Sequence, residues 1–132
     1  MMRPCLKTVA ALTALAATAS ASAKSPLQGL WQRGSMQVQI APCGSLLCGT
    51  VIKASAAKQD DARRGSGREL VGSRLLSDIE PTGANSYRGR LWVFDRDTYT
   101  DGTIRQVDHD RVVVEGCLLL VICKTKVWKR VR

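Results

Sequence analysis

Histidine is nearly absent from this sequence: His109 stands alone among 132 residues. It lies between Asp108 and Asp110 in a turn pattern, with no nucleophile marked beside it. A general-base role is therefore outweighed by that of a solvated turn residue. The Gly-x-Ser-x-Gly elbow of serine hydrolases is missing as well. Acids number only 11 and are scattered. Asp95-Arg96-Asp97 followed by Asp101-Gly102 opens like a calcium loop. Its third acid arrives too late, however, and Gln106 stands where the bidentate glutamate belongs. Asp60-Asp61 is a lone acidic pair. Glu69, Asp78, Glu80 and Glu115 could supply two carboxylates for glycoside chemistry, but no spacing singles out a pair. The expectation is a chain with no catalytic residues, no cofactor and no metal.

Long apolar runs are also lacking, except at the start. Arg3 and Lys7 precede a short apolar stretch from Thr8 to Ala19, and Ala21-Ser22-Ala23 is an Ala-x-Ala cleavage signature. Residues 1–23 thus read as a secretory signal peptide cut before Lys24, the stretch being well short of the ~20 residues of a membrane span. Removing 23 of the 132 residues leaves 109, enough for a single small domain. No later segment is apolar for long enough to span a membrane as a helix. Cleavage removes Cys5 and leaves four cysteines, an even count that in an exported chain favours disulfides. The expected location is periplasmic or secreted.

Lys and Arg total 20; loss of Arg3 and Lys7 leaves 18 against the 11 acids, a net charge of +7. That balance favours anionic partners. Outside the cytoplasm these would be lipid headgroups, lipopolysaccharide or cell-wall polymers, ahead of nucleic acid. The basic residues are spread out, and only Lys124 to Arg132 forms a dense run. A merely soluble positive surface is the better account of that spread, since charged residues mostly sit in solvent.

Helical periodicity is scarce, and strands account for most of what remains. Leu27 to Arg33 reads as a first strand. Met36, Val38 and Ile40 alternate with Gln37 and Gln39, the period of a strand with one wet face, and Pro42 is expected to close it. Leu47 to Lys53 returns as the second arm of a hairpin. Ala54 to Arg68 has no apolar face and is expected as a mobile surface loop with room for one helical turn. Glu69 to Ile79 reads as a bend and a strand, Pro81 to Asn85 as a turn, and Ser86 to Phe94 as a strong strand. Asp95 to Asp97 turns the chain into Thr98 to Val107, and Asp108 to Asp110 turns it again into Arg111 to Cys117. Short strands with turns between them indicate an all-β sandwich or barrel.

Cys43 and Cys48 flank one hairpin tip, Cys117 and Cys123 another. Opposed residues of an antiparallel pair have Cα atoms about 4.5–5.5 Å apart, within disulfide range. Geometry therefore favours Cys43–Cys48 and Cys117–Cys123 among three connectivities. Closing each short loop contributes about 2 kcal/mol, against about 4 for a cross-pairing. A zinc site is the rival, but spacings of four and five residues without supporting histidines speak against it.

Four motifs in order carry a resemblance. They are Gly29-x-Trp31, Cys43-Gly44 with Leu47-Cys48-Gly49, Gly116-Cys117 with Cys123, and Trp128-x-Arg130. Together, behind a signal peptide, they resemble the exported bacterial family called domain of unknown function 2147, over essentially all of residues 24–132. The resemblance is incomplete at two loops. Arg63-Arg64-Gly-Ser-Gly-Arg68 replaces a Pro-bearing run, and the Pro and Gly of a later hairpin turn are absent around Phe94 to Tyr99. It implies a small lipocalin-like (calycin) antiparallel barrel of about eight strands, without an established activity. By position it also implies that Arg130 stacks on Trp31 and closes one barrel end. The expected role is to hold a small apolar or amphipathic ligand, with Met36, Val38 and Ile40 as candidate lining. The alternative is an envelope-associated protein that meets anionic surfaces through its basic residues.

Overall fold

The computed structural model describes residues 24–118 and 122–132, with residues 10, 11 and 13; the rest of the expected leader lies outside the described residues. The chain forms β1 (Gly29–Arg33), β2 (Met36–Cys43), β3 (Leu46–Lys53), α1 (Ala56–Ser66), β4 (Arg74–Gly83), β5 (Ser86–Val93), β6 (Thr98–Asp108), β7 (Arg111–Leu118) and β8 (Ile122–Arg130). The strands pair antiparallel in chain order and close into a barrel through β1 and β8. Of the two all-β architectures open to the sequence, the barrel is the one formed.

Period-two alternation explains the inward faces. On β2, Met36, Val38 and Ile40 are at most 1% exposed, while Gln37 and Gln39 are half-buried. Each such side chain contributes about 1.5–3 kcal/mol on burial. Cross-strand partners share a face, so Trp31 of β1, Val38 of β2 and Val51 of β3 form one buried layer. Pro42 does not end β2, which runs on to Cys43. β1 pairs with β2 only as far as Ile40, so Pro42 lies on a locally free edge that tolerates a missing N–H.

The two disulfides link Cys43 to Cys48 and Cys117 to Cys123. The second joins directly paired residues. The first is diagonal, because the hairpin turn is only Gly44–Ser45: Cys43 faces Leu46, and Cys48 faces Ala41. Its Cα atoms are still within reach, 5.6 Å apart.

The stretch expected as a loop holds helix α1. Ser55 caps it, its hydroxyl accepting from the Lys58 N–H at 3.3 Å. Gly67, at φ 69°, ends it by donating its N–H to the Arg63 carbonyl. Asp60 pairs with Arg63 at 3.2 Å and Asp61 with Arg64 at 3.1 Å, one turn apart. Ala62 is its buried residue, so no apolar stripe announces the helix. It packs by close backbone approach instead: a Cβ on Gly65 would overlap the Asp95 carbonyl in the β5–β6 turn. Likewise β4 starts later than expected and runs through Pro81 to Gly83, leaving Ala84–Asn85 as the turn.

Candidate ligand-binding site

The two ends of the barrel differ. At one lie the β2–β3, β4–β5 and β6–β7 turns and the segment entering β1. This end is plugged. Leu27 is fully buried, and its carbonyl accepts from the Trp31 indole N–H at 2.9 Å. The Arg130 Cζ lies 4.3 Å from the Trp31 ring centroid. The same guanidinium donates to the carbonyls of Pro26, Gln28 and His109 at 2.7, 2.9 and 2.8 Å. Gly29, at φ +139°, is where a Cβ would run into this guanidinium. Gln106 adds a donor from its Nε2 to the Pro26 carbonyl at 3.3 Å.

His109 belongs to this plugged end. Its ring is exposed, and Nδ1 lies 3.0 Å from Asp110. Hydrogen bonds from the His109 ring and from Arg132 hold the Asp110 carboxyl below its ordinary pKa. The Arg111 guanidinium does the same for Asp108. The other acids singled out in sequence are not brought together. Glu69 pairs with Arg63, Glu80 with Arg88, and Glu115 accepts from Thr125. Asp78 is exposed at a left-handed φ of 51°. Asp97 accepts from the Trp92 indole at 3.0 Å, and Arg68 stacks on that ring at 4.1 Å. Among the described residues, the one triad of metal-ligand types is Glu115, Cys117 and Cys123, whose sulfurs are already bonded to each other.

The other end opens into a cavity of about 300 Å³ between the β1–β2 hairpin, α1, the β5–β6 turn and β8. Met36, Leu75, Leu91, Val114 and Trp128 supply apolar wall. Val38 and Ile40 do not reach it. They are 0% and 1% exposed and pack in the plugged half, so of the three expected lining residues only Met36 serves. The cavity occupies one half of the barrel because bulky Trp31, Leu76, Ile79, Tyr87 and Ile104 fill the other.

Sequence reasoning missed the polar part of this wall. Lys124 and Lys126 pair with Gly116 and Val114, both of which line the cavity, so the two lysines take inward-facing positions on β8. The dense basic run is therefore divided by the strand's own alternation. Arg33 is inward too, two residues beyond Trp31, and burial lowers its pKa by desolvation. The signal was present in sequence, as alternation counted outward from Trp31 and Trp128. β1 pairs with β8 only at Trp31–Arg130 and Gln32–Lys129. Beyond Arg33 the seam is open, and Ile122 to Val127 are exposed along it. Trp128 is 2% exposed, and its indole N–H has no hydrogen-bond partner among the described residues.

A closed, up-and-down, eight-stranded barrel with one plugged and one open end defines a lipocalin-like protein. More narrowly, the chain belongs to the family described as uncharacterized protein conserved in bacteria (DUF2147), whose model matches residues 29–130. Among solved structures it is similar to protein HP1028 from Helicobacter pylori, which is described as belonging to the lipocalin family. That likeness has 17% identity and a TM-score of 0.62, and covers 80% of this chain and 83% of the other. At that identity it establishes the shared fold. No curated protein matches the chain.

Proposed function

We propose that this chain is a non-catalytic carrier or sensor that holds one small apolar or amphipathic molecule in the open half of its barrel. The observation behind this reading is the cavity itself, whose volume of about 300 Å³ lies at the lower end of ligand pockets. The lone histidine and the scattered carboxylates lie in ion pairs and turns rather than around a common reacting centre. The two disulfides favour an oxidising compartment, periplasmic or extracellular, in line with the leader expected at residues 1–23. The alternative, an envelope-binding surface on the C-terminal basic run, is weakened. Lys124, Lys126 and Arg130 turn inward, and Arg132 pairs with Asp110.

Native mass spectrometry of protein purified without detergent tests the proposal. It should show a population carrying a bound small molecule, removable by organic extraction. A bare mass in every preparation, with no uptake of added amphiphiles, would refute it.

A further inference from the structure

We propose that the ligand is a single-chain anionic amphiphile, its oxoanion head held at the open β1–β8 seam by Arg33, Lys124, Lys126 and the Trp128 indole N–H. This rests on the cavity reading above and deepens it. Extending the Trp31–Arg130 register puts Arg33 level with Trp128, with Lys126 and then Lys124 successively nearer the mouth. All four line the cavity. Among the described residues, none of the three cations forms an ion pair, whereas Arg63, Arg64, Arg68, Arg88, Arg111 and Arg132 do.

A half-buried guanidinium beside an unpartnered indole donor is costly when empty. The site is preorganised for an acceptor-only group, since an arginine fork and ammonium points are the usual partners of carboxylate and phosphate. Lys58 and Arg96 extend the positive mouth. The two acids on the same wall are Asp61, paired with Arg64, and Asp95. Leu75, Leu91 and Val114, the last on β7 directly beside Lys126, line the same cavity and offer a dry surface for a short acyl tail. The shared chemistry is a monoanionic or dianionic head on one alkyl chain, whether carboxylate or phosphate monoester.

Calorimetric titration of the purified protein with decanoate and decyl phosphate below their micelle concentrations, and with decanol below its solubility limit, separates the possibilities. The proposal predicts that an anionic head binds about tenfold or more tightly than the alcohol. The stronger of the two anions identifies the head. Lys124→Gln/Lys126→Gln, at exposed positions that leave the sheet intact, should remove most of that preference while decanol binding stays as it was. Trp128→Phe should weaken the anions more than it weakens decanol, because it removes the indole donor as well as part of the apolar wall. Equal binding of all three probes, unmoved by the lysine changes, would overturn the anionic head and leave the apolar-cavity reading standing. Binding of none of them would overturn both.

Discussion

Arg130 shows how much one side chain holds together. It covers the Trp31 ring and donates to three carbonyls, those of Pro26, Gln28 and His109. Arg130→Lys keeps the charge but has a point donor in place of a fork. It should cost at least about 1.5 kcal/mol, read as a fall in the midpoint of denaturant unfolding. Trp31→Ala should cost about 3–5 kcal/mol, and the Arg130→Ala/Trp31→Ala double variant should lose less than the sum. Additive losses would remove the contact from the account. At the same end, Asp108 and Asp110 have pKa values held below the ordinary carboxylate range, as does Glu69 beside Arg63. Their contribution is complete above about pH 5 and is lost as pH falls through the depressed folded-state values. Unfolding midpoints should therefore be flat from about pH 5 to 7 and decline below about 4. Arg111→Gln should make that decline shallower, since without its cation Asp108 titrates nearer its unfolded value.

At the scale of elements, α1 and the hairpin clasps make opposite cases. The clasps could be read from sequence because a disulfide needs only two cysteines close to a tight turn. Reducing both should lower stability by about 2 kcal/mol each while leaving the sheet spectrum unchanged. The helix could not be read, because its sequence signals are local and weak. Ser55 and Gly67 cap it, salt bridges run along its outside, and one alanine is buried. Its attachment rests on Gly65 lying against the Asp95 backbone, which no periodicity reveals. Gly65→Ala should therefore loosen α1 from the β5–β6 turn, and hydrogen exchange should rise in both segments together. Ser55→Ala should cost about 1 kcal/mol. Strand β8 is the intermediate case. The hairpin tip flanked by Cys117 and Cys123 implies a returning strand, yet Lys124 and Lys126 read as surface charges, because an inward position ordinarily demands an apolar side chain. Inward lysines are tolerated here because the barrel is open at that level.

For the whole molecule, the eight-stranded barrel follows from short alternating strands closed by β1 against β8. What the sequence does not announce is the division of its interior. Of three buried tryptophans, Trp31 belongs to the plugged end, while Trp92 and Trp128 border the cavity, Trp128 from the inward face of β8. Large side chains pack the Trp31 end solid, whereas near the mouth the wall narrows at Gly116, where an added Cβ would already lie 3.1 Å from Leu91 and a larger side chain would press into the cavity. The most direct measurement is fluorescence titration with the neutral probe phenylnaphthylamine, comparing the natural protein with Gly116→Leu. The account predicts saturable uptake by the natural protein and its loss in the filled variant, whose circular dichroism remains that of the sheet. Uptake undiminished by Gly116→Leu, or no uptake by the natural protein, would contradict it.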